Sequence, residues 1–231
     1  MSLHHNPRIV TSGLVYLLDA ADANFYPGSG TAGYDLTRNA TSTTLQNGVG
    51  YFDNNQGTFD FDGTNDYIAI AYSSQPAVSQ ITVTVWVYPD QDATTGGRTR
   101  GSAWGGPGAM YLGLWPNGSA GSSAIHAGVQ TTSGRPTIQT GTIYTNQWSM
   151  LAMSYNGSTT VTYLNDGVVS STTQTGNILS GTAYYVGTYA ALTDSNHNFP
   201  GRIAYAAMYN RGLTADEIQQ NYEAQKSRFG L

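Results

Sequence analysis

Carboxylates, histidines and isolated aromatic rings define the chemistry open to this chain. Its only glutamates, Glu217 and Glu223, both lie near the C-terminus. Glycoside hydrolysis needs two carboxyl groups flanking the scissile bond, one as acid and one as nucleophile or base. Asp60 and Asp62 have same-face spacing beside Phe59 and Phe61. However, Asp62-Gly63 is also a short-turn signal that opens a hairpin, and a solvated strand edge accounts for Asp60. The absence of cysteine removes disulfides, thiolate metal sites and thiol nucleophiles. His4 and His5 fall in a polar N-terminal stretch, which leaves His126 and His197 as bases. Neither is near a Gly-x-Ser-x-Gly elbow, and polar loop positions are expected for both. The expectation is a chain with no catalytic residues that is not an enzyme.

Saccharide recognition asks for something else: an aromatic ring for the apolar sugar face, beside fixed donors and acceptors. Two loops meet that demand. Residues 96–108 place Trp104 alone among small residues, with Arg98 and Arg100 nearby. Residues 190–199 bring Asp194, Asn196 and His197 after Tyr189. These seven residues are the candidate ligand-binding set. Strand packing is the alternative for Trp104, since 17 Tyr and 4 Trp in a β-rich chain must mostly pack. Trp86, Trp115 and Trp148 are assigned to the core.

The totals narrow the function classes. At 231 residues the chain fits one undivided β-sandwich. Only 10% of residues are charged, the net charge is −5, and Lys226 is the sole lysine. No basic track exists for phosphates, so nucleic acid is excluded as a partner. No apolar run has the length of a signal peptide or membrane span, which fits a soluble protein made in a cytoplasm. A surface of Ser, Thr, Asn and Gly suits extracellular or virion proteins.

The elements that must position these residues are mostly short strands. Turn signals stand at Asn47-Gly48, Asp62-Gly63, Asn117-Gly118, Asn156-Gly157 and Asp166-Gly167, with period-2 runs between them. Ile81, Val83, Val85 and Val87 share one face of a strand, and Thr82, Thr84, Trp86 and Tyr88 the other. In 110–115, Met110, Leu112 and Leu114 oppose Tyr111, Gly113 and Trp115. Further strands are expected at 147–155, 159–164, 167–173, 183–189 and 202–209, giving an all-β, two-sheet antiparallel jelly-roll sandwich. One helix is expected at 214–227. Thr214 and Glu217 have capping-box spacing, Leu213 and Ile218 staple the entry, and Gly230 is the stop. Residues 1–13 read as an N-terminal arm, and 14–231 as the domain.

The closing segment, Phe199-Pro200-Gly201-Arg202-Ile203 through Asn210-Arg211-Gly212-Leu213-Thr214-Ala215-Asp216-Glu217-Ile218, resembles the last strand and helix of laminin-G-like, concanavalin A-like lectin/glucanase domains. Phe59-Asp60-Phe61-Asp62-Gly63-Thr64-Asn65-Asp66-Tyr67, Ile81 to Pro89, Gln147-Trp148 and Tyr163-Leu164-Asn165-Asp166-Gly167 agree in order. The opening, His4 to Val15 with Leu18-Asp19-Ala20-Ala21 and Tyr26-Pro27-Gly28-Ser29-Gly30, is similar to virion-associated proteins of tailed bacteriophages. In catalytic relatives two Glu flank an Asp on one strand, a pattern this chain lacks. The resemblance implies a virion structural protein (decoration, fibre or adaptor), with other virion proteins, host or environmental glycans and further copies of itself as partners. A purely structural docking module is the alternative, and a glycoside hydrolase a distant third. It also implies calcium, for which Asp62, Asn65 and Asp66 are the candidate ligands. Many relatives carry an acid after Gly-x-Ile where this chain has Ala204, and turn capping is the other reading of Asp66.

Overall fold

The computed structural model describes residues 8–71, 79–94, 100–179, 181, 183–190 and 195–231. In chain order the strands begin with β1 (Leu14–Asp19), β2 (Ala32–Tyr34), β3 (Ser42–Gln46), β4 (Gly50–Phe52), β5 (Thr58–Asp62) and β6 (Tyr67–Ile70). β7 (Ile81–Pro89), β8 (Gly101–Gly106), β9 (Met110–Pro116), β10 (Ser122–Val129) and β11 (Ile138–Tyr144) follow. The last are β12 (Ser149–Tyr155), β13 (Thr159–Leu164), β14 (Gly167–Thr173), β15 (Tyr184–Val186) and β16 (Pro200–Tyr209), then the helix α1 (Ala215–Gln225).

They form two eight-stranded antiparallel sheets. The first runs β14-β13-β12-β7-β16-β5-β4, with β1 also on β16; the second runs β11-β10-β9-β8-β15-β6-β3-β2. β16 is the spine of the first sheet. One of its edges carries β7, and the other is shared by β5 at Pro200–Ile203 and β1 at Tyr205–Tyr209. Gly201, at φ 133°, lies so close to β7 that a Cβ would sit 2.3 Å from the Tyr88 carbonyl oxygen. Only glycine fits there.

The alternation in β7 is realised on two cores. Ile81, Val83, Val85 and Val87 pack between the sheets with Met110, Leu112 and Leu114 of β9. Trp86 faces the other way, into a second core closed by Leu213, Ile218 and Phe229. Its ring stacks on Phe229 at 4.2 Å and on Tyr222 at 5.6 Å. α1 therefore roofs the outer face of the first sheet and leaves the outer face of the second open.

The capping box forms as its spacing predicts: Glu217 N donates to Thr214 Oγ1 at 3.3 Å, and Thr214 N donates to Glu217 Oε2 at 3.0 Å. Arg211 adds a two-pronged ion pair to the same carboxylate, at 2.7 and 2.5 Å. A short 3-10 turn, Lys226–Phe229, extends the helix to left-handed Gly230.

Three expectations change. Residues 8–13 are not a free arm, because Val10 N donates to Asn221 Oδ1 at 2.8 Å and its carbonyl accepts from Tyr209 Oη at 3.0 Å; residues 1–7 lie outside the described residues. Asp62-Gly63 does not open a hairpin, because β5 and β6 belong to different sheets and the turn crosses between them. At the β13–β14 hairpin the left-handed residue is Asn165, at φ 57°, and Gly167 already pairs with Leu164. Asn tolerates that conformation, so the turn lies one residue earlier than the Asp-Gly signal indicates.

Candidate functional site

The open face of the second sheet carries a groove of about 370 Å³. Its floor comes from strand alternation. With Met110, Leu112 and Leu114 in the core, Tyr111, Gly113 and Trp115 turn outward. On β10 the core takes Ile125, Ala127 and Val129, and His126 turns outward opposite Gly113. Its imidazole lies between the two aromatic rings, 4.3 Å from Tyr111 and 4.6 Å from Trp115. A guanidinium caps each end of this row: Arg135 lies 5.3 Å from the Tyr111 ring and Arg100 5.2 Å from the Trp115 ring.

The walls come from loops held against β8. Ser102 forms a parallel bridge with Asn198, which places His197 at the rim. Gly105 lets the chain after β15 fold back over β8, since a Cβ there would lie 2.3 Å from the Thr188 carbonyl oxygen. Tyr189 thereby reaches the groove, 6.1 Å from Tyr111 and 5.8 Å from His197. Thr137 and Gln139 close the far side, and Thr137 Oγ1 accepts from Tyr111 Oη at 3.1 Å.

The groove is positive. Its lining holds two arginines, two histidines and no carboxylate among the described residues. Burial, reinforced by Arg100, Arg135 and His197, lowers the His126 pKa to about 3, so the imidazole is neutral at physiological pH. Burial raises the Tyr111 pKa, which keeps its phenol a donor.

Of the residues expected to bind ligand, Arg100, Tyr189 and His197 converge here. Asn196 lies in the adjoining 3-10 turn and does not line the groove. Arg98 and Asp194 lie outside the described residues. Trp104 is corrected: it is 0% exposed in β8, packed 5.8 Å from Tyr16 and 6.1 Å from Tyr184. A register shift between Ser102 and Trp104 turns Ala103 and Trp104 both inward, so the opposite sheet buries the indole that its small neighbours cannot. Trp115, assigned to the core, instead lines the groove, and His126 is a strand residue in its floor. Arg135 went unrecognised because no local pattern marks it: a loop carries it back over β9.

The calcium candidates Asp62, Asn65 and Asp66 meet in one turn. Asp62 Oδ1 accepts from Thr64 N at 2.6 Å and Asn65 N at 3.3 Å, and Asp66 Oδ2 accepts from Asp62 N at 3.1 Å. This is turn chemistry, with Asp62 and Asn65 exposed and Asp66 buried. Among the described residues no three of His, Cys, Asp and Glu cluster for a metal. Asp60 lies 3.8 Å from Arg202, Glu217 is held by Arg211, and Glu223 pairs with Lys226 at 2.8 Å. No helix among the described residues is long and apolar enough to cross a membrane.

The backbone is similar to the receptor-binding domain of botulinum neurotoxin type G, with a TM-score of 0.67 at 13% identity over 93% of this chain and 52% of that one. It is also similar to the ligand-binding domain of botulinum neurotoxin serotype D in complex with N-acetylneuraminic acid, at 0.67 and 14% over 92% and 51%. This chain thus spans about half the length of those toxin domains. Domain 4 of AbnA, a GH43 extracellular arabinanase from Geobacillus stearothermophilus, in complex with arabinotriose, is similar at 0.64 and 19%, over 91% of this chain and 98% of that domain. Comparison with curated protein sequences gives no match. A laminin-G family model, described as concanavalin A-like lectin/glucanases superfamily, matches residues 62–219, and the chain belongs to that superfamily.

Proposed function

We propose that this domain binds a saccharide in the groove on the open face of its second sheet and does not hydrolyse it. The observation that carries the reading is the outward row Tyr111, His126 and Trp115, flanked by the hydroxyl of Thr137 and the amide of Gln139. A concave site with aromatic walls and a few convergent polar groups is what a sugar's apolar face and ring hydroxyls require. The saccharides named with two of the similar structures, N-acetylneuraminic acid and arabinotriose, agree with a glycan ligand. Among the described residues the groove lining offers no carboxyl pair for hydrolysis.

The finer reading is a tailed-phage virion component whose groove adheres to host or environmental glycans. The likeness of the opening and closing segments to such proteins supports it. A purely structural docking role is the competing version. Glycan-array screening tests binding, with the parent chain retaining defined glycans and Trp115→Ala losing them. Mass spectrometry of purified virions tests the location, since absence of the chain from particles removes both virion versions.

A further inference from the structure

The two arginines of the groove differ from the other arginines and the lysine among the described residues. Arg202, Arg211, Arg228 and Lys226 each pair with a carboxylate. Arg8 and Arg38 are exposed on the surface, where water solvates them. Arg100 is half-buried, its Nε is inaccessible and has no hydrogen-bond partner, and among the described residues no carboxylate lines the cavity beside it. Arg135 stands at the other end of the same aromatic row, equally without an ion pair among the described residues. In a protein of net charge −5, two unneutralised guanidiniums on one groove are a local reversal of sign.

We infer that the groove selects an acidic saccharide, with Arg100 and Arg135 receiving its anionic group while the sugar ring packs against the row between them. The inference rests on the proposed saccharide reading of this site. Guanidinium presents a planar fork of donors that matches a carboxylate or sulfate, and stacking on an aromatic face fixes its orientation before the ligand arrives. Neutral His126, 4% exposed between the two rings, contributes no third charge and supports the floor by packing. Burial first, and then both arginines, oppose its protonation. A neutral glycan would leave the guanidinium charge unanswered.

Calorimetric titration of the intact chain with matched pairs tests the inference. The probes are a galacturonate trisaccharide and its methyl ester, sialyllactose and lactose, and sulfated and unsulfated N-acetyllactosamine. At least one acidic member is expected to bind about tenfold or more tightly than its neutral partner, with the gap shrinking as salt rises. The pair showing the gap distinguishes carboxylate from sulfate. Arg135→Gln, at an exposed position, should abolish the preference without moving the melting temperature. Arg100→Gln should do the same, and Arg135→Lys should retain part of it. Equal affinity for both members of every pair would overturn the acidic selection while leaving saccharide binding standing. Failure of all six probes, together with an empty glycan array, would remove the saccharide reading and this inference with it.

Discussion

Gly128 on β10 stands directly across from Tyr111 on β9, and a Cβ at Gly128 would lie 2.6 Å from the Tyr111 hydroxyl oxygen and 2.8 Å from its Cζ. The missing side chain is what lets the phenol ring lie across the neighbouring strand. Arg135 and His126 both rest against that ring, so one hydrogen atom on β10 sets the level of the groove floor. Gly128→Ala is expected to displace the ring and weaken saccharide binding by about tenfold, the equivalent of one lost ring contact. The overpacking should cost about 1–3 kcal/mol of stability. Titration and a denaturation curve on the same sample check both effects, and unchanged affinity would show that the Tyr111 ring is not part of the binding surface.

The helix cap is separable from the groove. Replacing Thr214 with Ala removes the acceptor for Glu217 N and should cost about 1 kcal/mol. Because α1 roofs the first sheet and the groove lies on the second, saccharide affinity should not change. Denaturant midpoints of the two chains check the stability, and titration checks the independence.

His126 gives stability a pH dependence with a definite sign. Its native pKa is about 3, below the ordinary value of 6.5. Between those values the unfolded chain binds a proton that the native state refuses, so stability falls on acidification, by up to about 1.4 kcal/mol per pH unit. Burial raises the pKa values of Asp60, Asp66 and Asp90, which act in the opposite sense over the acidic range. The difference between the parent and His126→Gln isolates the histidine. That difference should diminish steadily toward low pH from 6.5 to 3 as the parent loses stability. A pH-independent difference would show that His126 titrates normally in the folded chain.

The β architecture and the helix were legible because each rests on local rules. Alternation in β7 and β9, and the Thr214–Glu217 spacing, state their outcome within a few residues. The groove was legible only in part. Arg100, Tyr189 and His197 were found because they stand in loops whose composition suggested ligand contact. Trp115 and His126 were missed because alternation divides a strand into two faces without saying which one an opposing sheet covers. In β7 the outer face lies under α1; in β9 it carries Tyr111 and Trp115 beneath the loops and arginines that line the groove. Trp104 misled for a related reason: the irregularity at Ser102 reverses the expected face, and nothing in Gly-Ser-Ala-Trp-Gly-Gly announces it.

Calcium should leave the fold unaffected. Asp62 Oδ1 and Asp66 Oδ2 already accept turn amides, and no three of His, Cys, Asp and Glu cluster there among the described residues. Melting temperatures in millimolar calcium and in a chelator should agree within about 1 °C, since a ligand stabilises only if it binds the native state. A rise of several degrees with calcium would restore Asp62, Asn65 and Asp66 as ligands.

Saccharide binding at the Tyr111–His126–Trp115 row is tested most directly by titrating the tightest array glycan into the parent chain and into Trp115→Ala. The half-buried indole lies over the groove and not between the sheets, so its removal should lower the melting temperature through its lost contacts with His126 and Arg100 but leave the sandwich folded. The account predicts saturable binding by the parent and an affinity reduced about tenfold or more in the variant, the cost of losing an aromatic contact. Equal affinity in the two folded proteins would contradict it.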